Sequence, residues 1–155
     1  MFRKKKSPAP VLTAEKTAPV LRLLPGVLDE GTLEKSSGLS LAFLGDAVWE
    51  LLIRSYHMAS GDPGVQNLHK KTVSLANAAF QSAAAKAILP LLTEEETAVF
   101  KRGRNAHPGH VPKNKSGADY HTATGLEALF GWLYAKGEEE RVYALFAAAV
   151  NEETR

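Results

Sequence analysis

From Leu39 onward, apolar and polar residues recur at a helical period, with almost none of the period-two alternation or β-branched clustering that strands need. The punctuation between these stretches predicts five helices. The first covers about 40–59 and stops at Ser60-Gly61, glycine being the usual residue beyond a helix end. Asp62-Pro63 then supplies an N-cap and a first-position proline for a second helix, running to about Ile88 before Pro90. Thr93-Glu94-Glu95-Glu96 has the spacing of a capping box and opens a third, to about Arg104. The proline- and glycine-rich stretch 105–118 is predicted as a loop, and a fourth helix as covering about 120–135. Gly137 ends that helix, and Glu138–Glu140 favourably load the amino end of a fifth, to about Val150. The predicted fold class is all-α, one compact domain of about five main helices.

Residues 1–37 break the pattern, with basic Arg3–Lys6, prolines at 8, 10, 19 and 25, and the polar run 30–38. They are expected to form a largely flexible extension holding at most a short helix around Pro19–Leu24, with the folded domain at 38–155. The extension carries seven Lys/Arg against four Asp/Glu, whereas residues 38–150 hold eleven of each. The balance conceals segregation. Glu94–Glu96 precede a stretch, 97–118, with five basic residues, two histidines and no acid, which predicts a basic face. The absence of cysteine excludes disulfide frameworks, zinc ribbons and thiol catalysis. No apolar run reaches the roughly 18–20 residues of a spanning helix, and no signal-peptide-like stretch follows the basic start, so a cytoplasmic protein is expected.

Candidate chemistry comes from acids set into apolar helical segments. Asp46 is the only charged residue between Leu39 and Trp49, and Glu127 the only one between Tyr120 and Ala135. If those helices are buried, each carboxylate needs a partner, a proton or a metal. Each also has a plainer reading. Asp46, Glu50 and Arg54 lie four apart and fit an ion-pair ladder, and Thr124-Gly-Leu-Glu127 fits a capping box. Should the two helices pack together, the pair suits a hard divalent cation such as Mg²⁺, or general acid–base work, and spacing does not separate these.

Lys101, Arg102 and Arg104 lead into a loop holding His107, His110, Lys113 and Lys115, a set suited to phosphates, with Lys70 and Lys71 as a further basic spot. The plainer alternative is a solvated helix end, where cations are favoured. His107 and His110 lack a third nearby ligand for zinc, and His57 and His121 are expected to be structural. No P-loop or dinucleotide fingerprint is present.

Leu41-Ala-Phe-Leu-Gly-Asp-Ala-Val48 resembles the signature helix of the ribonuclease III family, and Glu127-Ala-Leu-Phe-Gly-Trp-Leu-Tyr134 resembles that family's second acidic helix. The segments 68–71 (LHKK), 101–106 (KRGRNA) and 124–129 (TGLEAL) look more like the short subgroup called mini-ribonuclease III, and the likeness covers about 39–146. The resemblance implies the helical ribonuclease III endonuclease fold and a Mg²⁺-dependent endoribonuclease, with Mn²⁺ able to substitute. Asp46 and Glu127 are the implied catalytic and metal-binding pair. Glu50 is the implied aid to orienting a ligand, and Lys70, Lys71, Lys101, Arg102, Arg104, Lys113 and Lys115 the RNA contacts. It further implies a homodimer cutting double-stranded or structured precursor RNA, with large-subunit (23S) ribosomal RNA the leading substrate and 5′-phosphate and 3′-hydroxyl ends on the products.

Departures from the family pattern qualify this. Ala42, Thr124 and Leu39 stand where the family has further acids, which leaves the number of metals per site open. No double-stranded-RNA-binding domain follows the catalytic segment, so RNA binding is expected from that segment itself. Two alternatives stand beside the enzyme. One is a non-catalytic double-stranded-RNA-binding or ribosome-associated protein on a degenerate fold; the other, a helical protein-interaction module, predicts no RNA affinity.

Overall fold

A computed structural model describes residues 28–61, 64–106 and 117–153. Seven α-helices and one 3₁₀ turn make up the described residues: α1 (Glu30–Lys35), α2 (Gly38–Ala59), α3 (Val65–Leu75), α4 (Ala78–Ile88), the turn Leu89–Leu91, α5 (Glu94–Arg104), α6 (Gly117–Lys136) and α7 (Glu139–Glu153). α6 is the hub, packing on α2, α4 and α5. That explains its composition: Ala123–Leu126 and Ala128–Leu133 are buried almost all round, and a helix enclosed by neighbours needs no polar face. Trp49 of α2 anchors the core, edge-on to Phe130 of α6 at 5.1 Å and to Phe146 of α7 at 5.4 Å. Its indole N–H donates to the Leu75 carbonyl at 3.2 Å.

Local signals set most boundaries. The backbone N–H of Glu96 donates to Thr93 Oγ1 at 3.2 Å and that of Thr93 to Glu96 Oε2 at 2.8 Å, the capping box expected at the start of α5. Gly137, at φ 82°, makes the turn between α6 and α7, a conformation that glycine adopts without steric cost.

Three expectations need correction. The helix predicted from Asp62-Pro63 to Ile88 is two helices, because Asn77 Oδ1 accepts from the Phe80 N–H at 2.9 Å and caps a new start at Ala78. Residues 28–37 belong to the fold: Asp29 caps α1, Leu33 is buried, and the Leu28 N–H donates to the Ala135 carbonyl at 2.9 Å. The folded part therefore already includes Leu28 rather than opening at 38. The helix expected around Pro19–Leu24 lies outside the described residues. α6 starts at Gly117, which puts Thr124 in mid-helix, with its hydroxyl donating to the Tyr120 carbonyl at 2.9 Å. The capping-box reading of Glu127 thus fails.

Candidate active site

The crossing of α2 and α6 is closer than any side chain would permit. A Cβ on Gly45 would collide with the backbone carbonyl of Glu127, and one on Gly131 with the carbonyl of Leu41. The two glycines therefore bring the backbones into contact, which places Asp46, next to Gly45, beside the turn of α6 that carries Glu127. Gly103 and Gly125 do the same for α5 and α6: a Cβ on Gly103 would crowd the Thr124 carbonyl, 2.9 Å away, and one on Gly125 the Phe100 carbonyl, also 2.9 Å away. The glycines inside the sequence's charged motifs are thus packing devices that set the register of the helices.

The carboxylates are less buried than their apolar surroundings suggest. Asp46 is exposed and Glu127 half-buried. α2 turns one face to solvent, and on it lie Asp46, Ala47, Leu51 and Phe43, the last 85% exposed. Glu127 Oε1 accepts a hydrogen bond from Gln81 Nε2 of α4 at 3.0 Å. Sequence reasoning passes over Gln81; the available signal is a lone amide in the alanine-rich stretch Ala78–Ala85. Ala42 and Thr124, one turn from Asp46 and Glu127 respectively, are both buried. Among the described residues no group of three or more His, Cys, Asp or Glu side chains is arranged to hold a metal ion. The pair supplies two carboxylates, a set suited to a hydrated Mg²⁺ that keeps waters and shares a substrate phosphate.

Glu50 accepts from Arg54 Nη2 at 2.9 Å in an exposed i,i+4 pair, the contact that the ladder reading expects of it. Among the cations, Lys70 and Lys71 are exposed on α3 and Lys101 on α5. Arg104 is exposed too and lies against Gly125, half a turn before Glu127, its Nε donating to Asn105 Oδ1 at 3.3 Å. It lines an open cleft of about 450 Å³ with Asn105, Ala118, His121 and Thr122. Arg102 diverges from this set, half-buried and directed to α1, where Nη1 donates to the Glu34 carbonyl at 3.3 Å. Its neighbours Lys101 and Arg104 stay on the solvent side, so the three cations do not form one patch. Lys113, Lys115, His107 and His110 lie outside the described residues. His57 is buried, and burial pushes its imidazole below the ordinary 6.5, in keeping with a structural place.

Residues 39–138 match the Ribonuclease III domain family. Curated relatives named Mini-ribonuclease 3 include one from Clostridium tetani, 42% identical over 120 residues that cover 77% of this chain and 80% of the relative. Another, from Thermoanaerobacter sp., is 43% identical over 121 residues, covering 78% and 84%. Among solved structures, a crystal structure of a Fusobacterium nucleatum protein matches with a TM-score of 0.69 at 36% identity, over 78% of this chain and 97% of that one. The chain belongs to the ribonuclease III family, and within it to the mini-ribonuclease 3 group. It is thereby placed among endoribonucleases, on the all-α fold of that family. No helix among the described residues is long and apolar enough to cross a membrane.

Proposed function

We propose that this protein is a Mg²⁺-dependent endoribonuclease that cuts double-stranded or structured precursor RNA, with 23S ribosomal RNA maturation as its leading role in the cytoplasm. The observation that supports the reading is the glycine-mediated crossing of α2 and α6, which brings the backbone at Gly45, next to Asp46, against that of Glu127. Asp46 and Glu127 would hold the cation, and two carboxylates with Ala42 and Thr124 beside them suit one ion better than two. A divalent ion held there would supply an activated water and neutralise charge developing on the phosphodiester, and hydrolysis would leave 5′-phosphate and 3′-hydroxyl ends.

Exposed Lys101 and Arg104 from α5 and Lys70 and Lys71 from α3 take phosphates of the duplex, together with Lys113 and Lys115. Duplex RNA is recognised mainly by shape, phosphate and 2′-hydroxyl contacts, which such side chains suit. Arg102 instead ties α5 to α1. Phe43, Ala47, Leu51 and Met58 are exposed along one stripe of α2, and an apolar stripe next to the carboxylate fits a second copy of the chain in a two-fold homodimer.

Cleavage of an RNA duplex and of a 23S precursor, with and without Mg²⁺, tests the reading in wild type, Asp46→Asn and Glu127→Gln. The expected result is metal-dependent cutting by wild type and none by either variant, with duplex binding retained. Duplex binding without cutting by wild type would favour a non-catalytic RNA-binding role. Sedimentation at micromolar concentration tests the dimer, which a monomer alone would exclude.

A further inference from the structure

Gln81 sits in the first turn of α4 with its side chain only 2% exposed. Burying a primary amide removes water from two donors and an acceptor, a loss that folds accept only where hydrogen bonds replace it. Here the replacement is specific: Nε2 donates to Glu127 Oε1 at 3.0 Å, linking α4 to α6 across 46 residues of sequence. The Gln81 backbone is held in the ordinary way of a helix. Asn77 caps α4, and its carbonyl accepts from the Gln81 N–H at 3.0 Å.

The residue type suits a metal site. A lysine or arginine here would fix the carboxylate but compete with a cation for its charge, and an apolar residue would leave its rotamers free. A neutral amide fixes one oxygen and adds no positive charge. We infer that Gln81 is a positioning residue of the Asp46–Glu127 site, holding the Glu127 carboxylate in the orientation in which it receives a divalent cation. The inference rests on the metal-site reading proposed above. Partners behind metal ligands are typically worth about 10–100-fold in affinity or activity.

The test measures Mn²⁺ binding to the full chain by calorimetry without RNA, alongside the Mg²⁺ concentration that gives half-maximal cleavage. Gln81→Met keeps length and bulk without the amide, and Gln81→Asn keeps an amide that falls one methylene short. About a tenfold weaker Mn²⁺ affinity and a matching rise in the Mg²⁺ requirement are expected in both, with duplex binding in the absence of divalent cations and the circular dichroism spectrum unchanged. If one variant fails to fold, the other decides. Wild-type Mn²⁺ affinity in a folded variant overturns the role of Gln81 and leaves the metal site standing. A wild type that binds no Mn²⁺ overturns the metal-site reading itself, and the inference with it.

Discussion

Glu96 on α5 and Glu127 on α6 are both acids on helices packed into the core, and their surroundings differ in kind. Glu96 is 5% exposed and receives Arg141 at both oxygens, Nε at 2.7 Å and Nη2 at 2.8 Å, while capping its own helix. The Arg141 hydrogen bond lowers the Glu96 pKa below its ordinary value and raises that of Arg141. Glu127 is half-buried, sits at a helix crossing, and accepts from the neutral amide of Gln81. The first carboxylate is tied to α7 by a guanidinium, which makes it part of the scaffold. The second receives a hydrogen bond from a neutral amide, a contact that itself adds no positive charge, as the proposed metal site would require.

The comparison breaks most sharply under paired substitution. Glu127→Gln is expected to lower cleavage by more than the roughly 100-fold seen for partners behind a metal ligand, while leaving thermal stability nearly unchanged. Glu96→Gln is expected to do the reverse, costing about 2 kcal/mol because Arg141 loses its charged partner, with cleavage intact at temperatures where the variant is folded. Denaturant melts and initial rates on the two proteins check this. Equal losses of stability in both would erase the distinction.

Gly45→Ala comes next. The added methyl would strike the Glu127 carbonyl, so α2 and α6 must part. The expected cost is about 3 kcal/mol, with loss of cleavage even in the fraction that remains folded. An alanine variant with wild-type melting and activity would show that the crossing does not hold the two carboxylates together.

Acid should weaken the fold first at His57 and then at the scaffold pair of Glu96 and Arg141. A group whose pKa is depressed by folding stabilises fully above its unfolded value, and that contribution is lost as pH falls through the lower folded value. For Glu96 the loss begins below the ordinary 4.5, and for His57, depressed mainly by burial, below 6.5. Melting temperature is therefore expected to fall in two stages on acidification. Glu96→Gln removes the lower stage and His57→Gln the upper.

Much of this arrangement was legible in the chain. The apolar period gave the helices, and the capping box at Thr93 fixed α5 at the expected residue because its signal lies within four positions. The Asn77 break escaped because asparagine announces a cap only if its side chain turns back on the backbone. Long-range facts were harder to see. Arg141 and Glu96 are 45 residues apart, Gln81 and Glu127 are 46, and nothing in local sequence pairs them. Even the exposure of Asp46 was hidden, because an apolar helix reads alike whether its open face meets solvent or a neighbour. The glycines of the FLGDA and TGLEAL motifs make close approaches between helices, a packing signal that the sequence does carry.

The smallest effect separates Glu50 from the pair it adjoins. Its carboxylate is half-exposed and bound to Arg54 at 2.9 Å, an arrangement worth about 0.3–0.5 kcal/mol on a helix surface. If it serves only that pair, Glu50→Gln should change stability by no more than this and leave the Mg²⁺ dependence of cleavage where it was. If Glu50 orients a ligand from behind Asp46, one turn away, the Mg²⁺ requirement should rise severalfold although stability barely moves. Arg54→Gln separates the two cases further, because it frees Glu50 without removing it. The structure favours the first outcome, since a carboxylate already engaged by a guanidinium resembles Glu96 more than Glu127.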